Sequence, residues 1–189
     1  MTQSSADLVK PLPCIVSVVG LKKSGKTTVV AGLIAELRLR GYRVSSIKKM
    51  EHAALFLDQE GTDTRLHADA GADVVVALLA GETVRFERSG RTGSLGGIIG
   101  LFPRDTAFLV CEGMVDRGAS QLIVLCLCSM DDLAETLTVR GIQLGSVLAI
   151  SGIAGGEPGL QDIPAFDCTD AAQRGALVDL IIKKAYPGA

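Results

Sequence analysis

Cys14-Ile-Val-Ser-Val-Val-Gly20-Leu-Lys-Lys-Ser-Gly25-Lys26-Thr27-Thr28 is the stretch that decides the fold. Its first six residues are apolar or small and rich in β-branched types, the pattern of a strand buried on both faces. The run passes directly into Gly20-x-x-x-x-Gly25-Lys26-Thr27, which matches the phosphate-binding P-loop in full. The spacing has a physical basis. Gly20 and Gly25 allow a tight backbone turn, so that successive N–H groups face one hollow. Val29, Val30, Leu33, Ile34 and Leu37 then recur at helical spacing, and Gly41 closes the helix. The positive end of that helix adds to the hollow. Tyr42 to Lys48 reads as the next strand, so the chain opens as a βαβ unit.

Beyond this unit, residues 49–61 read as a loop. Thr62 to Ala70 reads as a short helix capped by Thr62 and ended at Gly71. Asp73 to Leu79 and Thr83 to Glu87 read as strands joined through Ala80-Gly81-Glu82, an antiparallel hairpin added at one edge. Residues 89–104 are rich in Gly and leave helix and loop both open. Ala107 to Glu112, Gln121 to Cys128 and Ser146 to Ile150 read as strands. Asp131 to Val139 and Ala171 to Ala185 read as helices, and Gly152 to Gly159 as a Gly-rich loop. Alternating helices and buried strands imply an α/β, P-loop NTPase-like domain with a mostly parallel sheet flanked by helices. The expected division is a loose N-terminal arm over 1–12 and one nucleotide-binding domain over 13–189.

Composition bounds the function. The chain has 189 residues, 48% of them hydrophobic, which suffices for a core and excludes wholesale disorder. Its 19 Lys and Arg against 21 Asp and Glu leave a net charge of -2, so bulk charge does not hold it to nucleic acid. No apolar run reaches the roughly 18 residues of a membrane span. Nor does the start resemble a secretory signal. Cys14, Cys111, Cys126 and Cys128 sit in apolar strand-like runs and read as reduced core thiols, the usage of a cytoplasmic protein.

The phosphate site follows from the P-loop. Gly20, Lys22, Lys23, Ser24, Gly25, Lys26, Thr27 and Thr28 are its candidate nucleotide-binding residues. Lys26 can reach the β- and γ-phosphates, and the Thr27 hydroxyl can ligate Mg²⁺. Glu112 ends a buried strand before Gly113, where ligands of such sheets collect, and is the leading metal or water carboxylate. Asp58 and Asp63, in the loop after the second strand, are further candidates, with Asp63 equally readable as a first-turn acid. Lys48, Lys49 and His52 suit either a second anion or solvent. His67 reads as structural or exposed, and Arg85, Arg88 and Arg91 as a solvated face. No arginine finger is evident. The strand Val147 to Ile150 runs into Ser151-Gly152-Ile153 and not into an Asn/Thr-Lys-x-Asp stretch, so the residues support a nucleoside triphosphate without choosing its base.

Taken together, these residues resemble a known family. The P-loop, Arg40-Gly-Tyr-Arg-Val, Ile47-Lys48, His52, Asp58, Gly61-Thr-Asp63-Thr64, Arg65, Ala70-Gly71-Ala72 and Val110-Cys111-Glu112-Gly113 look like the molybdopterin-guanine dinucleotide biosynthesis protein B (MobB) family. Ala149-Ile150-Ser151 and Ile163-Pro-Ala-Phe-Asp167 also fit. The resemblance implies a GTP-binding adaptor with weak GTPase activity, Mg²⁺ as cofactor, a homodimer, and a molybdenum cofactor guanylyltransferase as partner. It places Gly25, Lys26 and Thr27 on phosphate and Mg²⁺, and Asp63 and Glu112 as the acidic residues. Thr62 and Thr64 stand where the family pattern has Lys and Ser, and Met114-Val115 where it has Phe-Lys. Two other readings remain: an ATP-dependent small-molecule kinase or ligase, and a non-hydrolysing nucleotide-binding interaction protein.

Overall fold

The structure is a computed structural model that describes residues 12–50, 62–87, 94–160 and 162–188. They group into two compact units: Met1–Lys49 with Ile99–Ala189, and Met50–Ile98.

The first unit is built on a five-stranded sheet. Its strands are β1 (Cys14–Gly20), β2 (Val44–Lys48), β5 (Phe108–Glu112), β6 (Leu122–Leu127) and β7 (Val147–Gly152). They lie in the order β2-β5-β1-β6-β7, every neighbouring pair parallel. Both faces are covered, which is why the central strands read as unbroken apolar runs. Successive side chains alternate between the faces. Val16, Val18, Phe108, Val110, Val124, Cys126 and Ala149 meet helices α1 (Lys26–Leu39) and α5 (Ala171–Ala185) through Leu33, Leu37, Leu177 and Ile181. Val19, Leu125, Leu127 and Ile150 face the other way, where Leu133 and Leu137 of helix α4 (Leu133–Arg140) pack.

No helix joins β5 to β6. The connection is pinned by a polar peg instead: the Ser17 hydroxyl, buried in β1, donates to Gln121 Oε1 at 2.6 Å, and Gln121 Nε2 donates to the Asp116 carbonyl at 2.5 Å. Tyr42, Phe108 and Tyr186 form an aromatic cluster. Phe108 meets both tyrosines edge-on, at centroid distances of 5.0 and 5.8 Å, and the tyrosines stack at 6.2 Å.

The second unit holds helix α2 (Asp63–Asp69), the hairpin of β3 (Val74–Leu79) and β4 (Glu82–Glu87), and the short helix α3 (Leu95–Ile98). Thr62 caps α2 by accepting from the Arg65 amide at 3.4 Å, as its sequence suggests. The turn uses Gly81 at a φ of 90°. The antiparallel hairpin is present, but as a two-stranded sheet of its own and not as an extension of the parallel one. The segment left open at 89–104 contains α3 and a 3₁₀ turn, Ile99–Leu101.

All five cysteines are free. Burial pushes the Cys14 thiol up to about 11 and the Cys111 thiol up to about 12, and raises that of Cys126 as well. Among the described residues no helix is long and apolar enough to cross a membrane.

Phe108 is fully buried in the main core. Phe108→Ala is expected to lower the unfolding free energy by about 3–5 kcal/mol in urea titrations, because the cavity opens under both tyrosines.

Candidate functional site

The site begins where β1 ends. Gly20 closes the strand, and α1 starts at Lys26 after a five-residue loop, Leu21 to Gly25. Gly20 has no room for a side chain: a Cβ would lie 2.1 Å from the Cys126 carbonyl oxygen and 2.5 Å from Ser24 Oγ. Gly25 takes φ 84°, the left-handed region open to glycine, and stands as the helix N-cap without a side-chain cap. Lys23 is the single non-glycine residue at positive φ among the described residues, at 67°. The first N–H groups of α1 have no intrahelical partner, and its first turn carries no acid. That end of α1 therefore presents donors and a positive dipole to an anion.

Inside the loop, Ser24 is fully buried and its hydroxyl donates to the Leu21 carbonyl at 2.9 Å. Lys26 Nζ donates to the same carbonyl and lies 3.5 Å from Ser24 Oγ. Burial, then the Arg140 charge, hold the Lys26 ammonium below its ordinary range, partly offset by thiol groups and Glu112. Lys22, Lys23, Thr27 and Thr28 are exposed.

The predicted carboxylate is in place. Glu112 is 9% exposed, and its Oε1 accepts from the Thr27 hydroxyl at 2.9 Å. Lys48 Nζ sits 3.3 Å from that same oxygen. The cause is register: Lys48 and Glu112 are ladder partners at the ends of β2 and β5. Lys48 thus belongs to the site as the partner of Glu112. A hydroxyl and a carboxylate oxygen at this distance form a hard-oxygen pair suited to Mg²⁺, which keeps several waters and needs few protein ligands. Among the described residues no group of three or more His, Cys, Asp or Glu could hold a metal alone.

Asp63 is exposed in the first turn of α2, in the second unit. Asp58 and His52 lie outside the described residues, as does nearly all of the expected arm. Two residues join the site from late in the chain. Gly152 ends β7 at φ 85°, and a Cβ there would lie 2.2 Å from the Ser24 carbonyl oxygen. Arg140, in the last turn of α4, donates to the Gly20 carbonyl through Nε at 2.9 Å and Nη2 at 2.5 Å. Glycine at the end of a strand and a basic residue before Gly141 are the only sequence signals for them.

The family model for molybdopterin guanine dinucleotide synthesis protein B matches residues 15–126, from β1 through β6. The chain belongs to the MobB family. A relative from Bacillus subtilis (strain 168), described as a probable molybdopterin-guanine dinucleotide biosynthesis adapter protein, is 32% identical over 145 residues, covering 76% of this chain and 78% of the relative. A crystal structure of Bacillus subtilis MobB aligns with TM-score 0.66 at 25% identity, over 93% of this chain and 99% of that one. The structure of a MobB homologue from Bacillus stearothermophilus, at 19% identity and TM-score 0.60 over 90% and 97% of the two chains, shares the fold. The P-loop NTPase-like fold expected from the opening βαβ unit is thus that of the MobB structures.

Two expectations follow. Gly152→Ala forces a side chain into a left-handed residue against the Ser24 carbonyl, so its thermal midpoint should fall by several degrees. Gly145→Ala, at ordinary φ with nothing within 4 Å, should leave it unchanged. Lys26→Met removes a cation that burial disfavours, so the ligand-free chain should gain stability at neutral pH. The depressed pKa makes the wild type gain stability as pH rises from that lowered value toward the ordinary 10.5, so the advantage of the variant should vanish over that window in pH-dependent urea unfolding.

Proposed function

We propose that the chain is a Mg²⁺-dependent GTP-binding adaptor with slow GTPase activity, serving the synthesis of molybdopterin guanine dinucleotide. The observation that carries the proposal is the contact between Thr27 Oγ1 and Glu112 Oε1 at the open N-terminus of α1. It brings the metal-binding hydroxyl of the P-loop onto the carboxylate of a neighbouring strand. GTP, and not another nucleotide, is favoured by the guanine dinucleotide named in the family description and by the adapter role named for the Bacillus subtilis relative. A homodimer working beside a molybdenum cofactor guanylyltransferase in the cytoplasm completes the reading.

In this mechanism the backbone amides of Ser24 to Thr27 and the α1 dipole bind the phosphate chain. Lys26 leaves the Leu21 carbonyl and moves onto the β- and γ-oxygens, exchanging one acceptor for charged ones. Thr27 and Glu112 would hold a magnesium ion, which would supply neutralisation of the charge developing on the transferred phosphoryl group. Glu112 also orients the attacking water. Catalysis is positioning plus electrostatics. With no second catalytic base beside Glu112 among the described residues, turnover is slow, as befits a switch.

The test is competition against a fluorescent guanine nucleotide in Mg²⁺. GTP should displace it and ATP should not. Lys26→Ala should abolish binding, and Glu112→Gln should raise the Mg²⁺ concentration that binding requires. Displacement by ATP alone overturns the adaptor reading and moves the ATP-dependent kinase or ligase first. That alternative draws on one observation, the end of β7 at Ser151-Gly152, which offers no carboxylate to read a guanine base. A hydrolysis rate that Lys26→Ala leaves intact removes the mechanism.

A further inference from the structure

The double hydrogen bond from Arg140 to the Gly20 carbonyl joins residues 120 positions apart. Two donors of one guanidinium converge on one oxygen, at the residue where β1 becomes the phosphate loop. Among the described residues no carboxylate forms an ion pair with Arg140. Its charge is therefore spent on a backbone carbonyl and otherwise stands uncompensated beside Lys26, whose ammonium it disfavours.

The peptide plane gives this contact a direction. In a trans peptide the C=O of Gly20 and the N–H of Leu21 point opposite ways. Holding the carbonyl on the guanidinium of α4 therefore also fixes the direction of the Leu21 amide, the first of the loop. A flip of that peptide would break both charged hydrogen bonds and reverse the dipole at the start of the loop.

We infer that Arg140 is a positioning residue of the phosphate loop, fixing the Gly20–Leu21 peptide and lending its positive charge to the binding of a nucleoside di- or triphosphate. The inference rests on the nucleotide reading above and deepens it by naming the residue that holds the first peptide of the loop. Arg140 acts through the loop and does not itself touch the ligand.

Arg140→Gln and Arg140→Lys in the full chain test it, with two readouts: the thermal midpoint without ligand, and displacement of a fluorescent guanine nucleotide by GTP, GDP and guanosine in Mg²⁺. Arg140→Gln should weaken GTP and GDP roughly tenfold or more, the range expected when a hydrogen bond to a charged group is lost, and should leave guanosine unchanged. Arg140→Lys, which keeps the charge but not the fork, should fall between. A lowered midpoint with wild-type affinity for all three ligands makes the contact structural only and overturns the inference. If Arg140→Gln does not fold, wild-type affinities in Arg140→Lys do the same. Wild-type chain that binds no nucleotide overturns this inference and the nucleotide reading together, whereas GTP binding equal in wild type and variant overturns this inference alone.

Discussion

Everything at the site depends on how closely backbone approaches backbone around the phosphate loop. Gly20 sits against the Cys126 carbonyl of β6, and Gly152 of β7 sits against the Ser24 carbonyl, each at a distance that excludes even a methyl group. A loop clamped in this way inherits its shape from the registers of β1, β6 and β7. Close backbone packing thus sets the course of the loop, and the Arg140, Ser24 and Lys26 side chains bond its carbonyls. The parallel sheet is therefore the mould of the loop as well as its support, and the core residues that set strand spacing also set the geometry of the site.

The opening unit was legible because its information is local. A β-branched run, two glycines at fixed spacing and a 3.6-residue apolar period describe β1, the loop and α1 without reference to the rest of the chain. The cap of α2 at Thr62 and the final helix from Ala171 to Ala185 were legible for the same reason. Glu112 could be singled out because an acid ending an apolar strand is unusual. Its partner could not. Lys48 reaches Glu112 only because β2 lies beside β5, and strand order is a property of the whole sheet. Arg140 and Gly152 were hidden for the same reason. The hairpin was readable from alternation and Gly81, but whether it extends the large sheet depends on which edge accepts it, and alternation carries no such information.

The electrostatics of the cluster follow from where its cations are held. Three cations of the site each find an internal acceptor: the Leu21 carbonyl for Lys26, the Gly20 carbonyl for Arg140, and Glu112 for Lys48. Positive charge is thereby concentrated at the loop, where the Arg140 charge disfavours the Lys26 ammonium.

Glu112 Oε1 serves Thr27 and Lys48 at once. A divalent ion taking up both Thr27 and Glu112 has to share this oxygen with the ammonium or displace it. Its arrival is then an ion exchange more than an addition to an empty acid. Swapping one monovalent for one divalent cation changes the local charge by a single unit. The field around the carboxylate consequently rises by one charge and not by two, because the fold already supplies the first cation through Lys48.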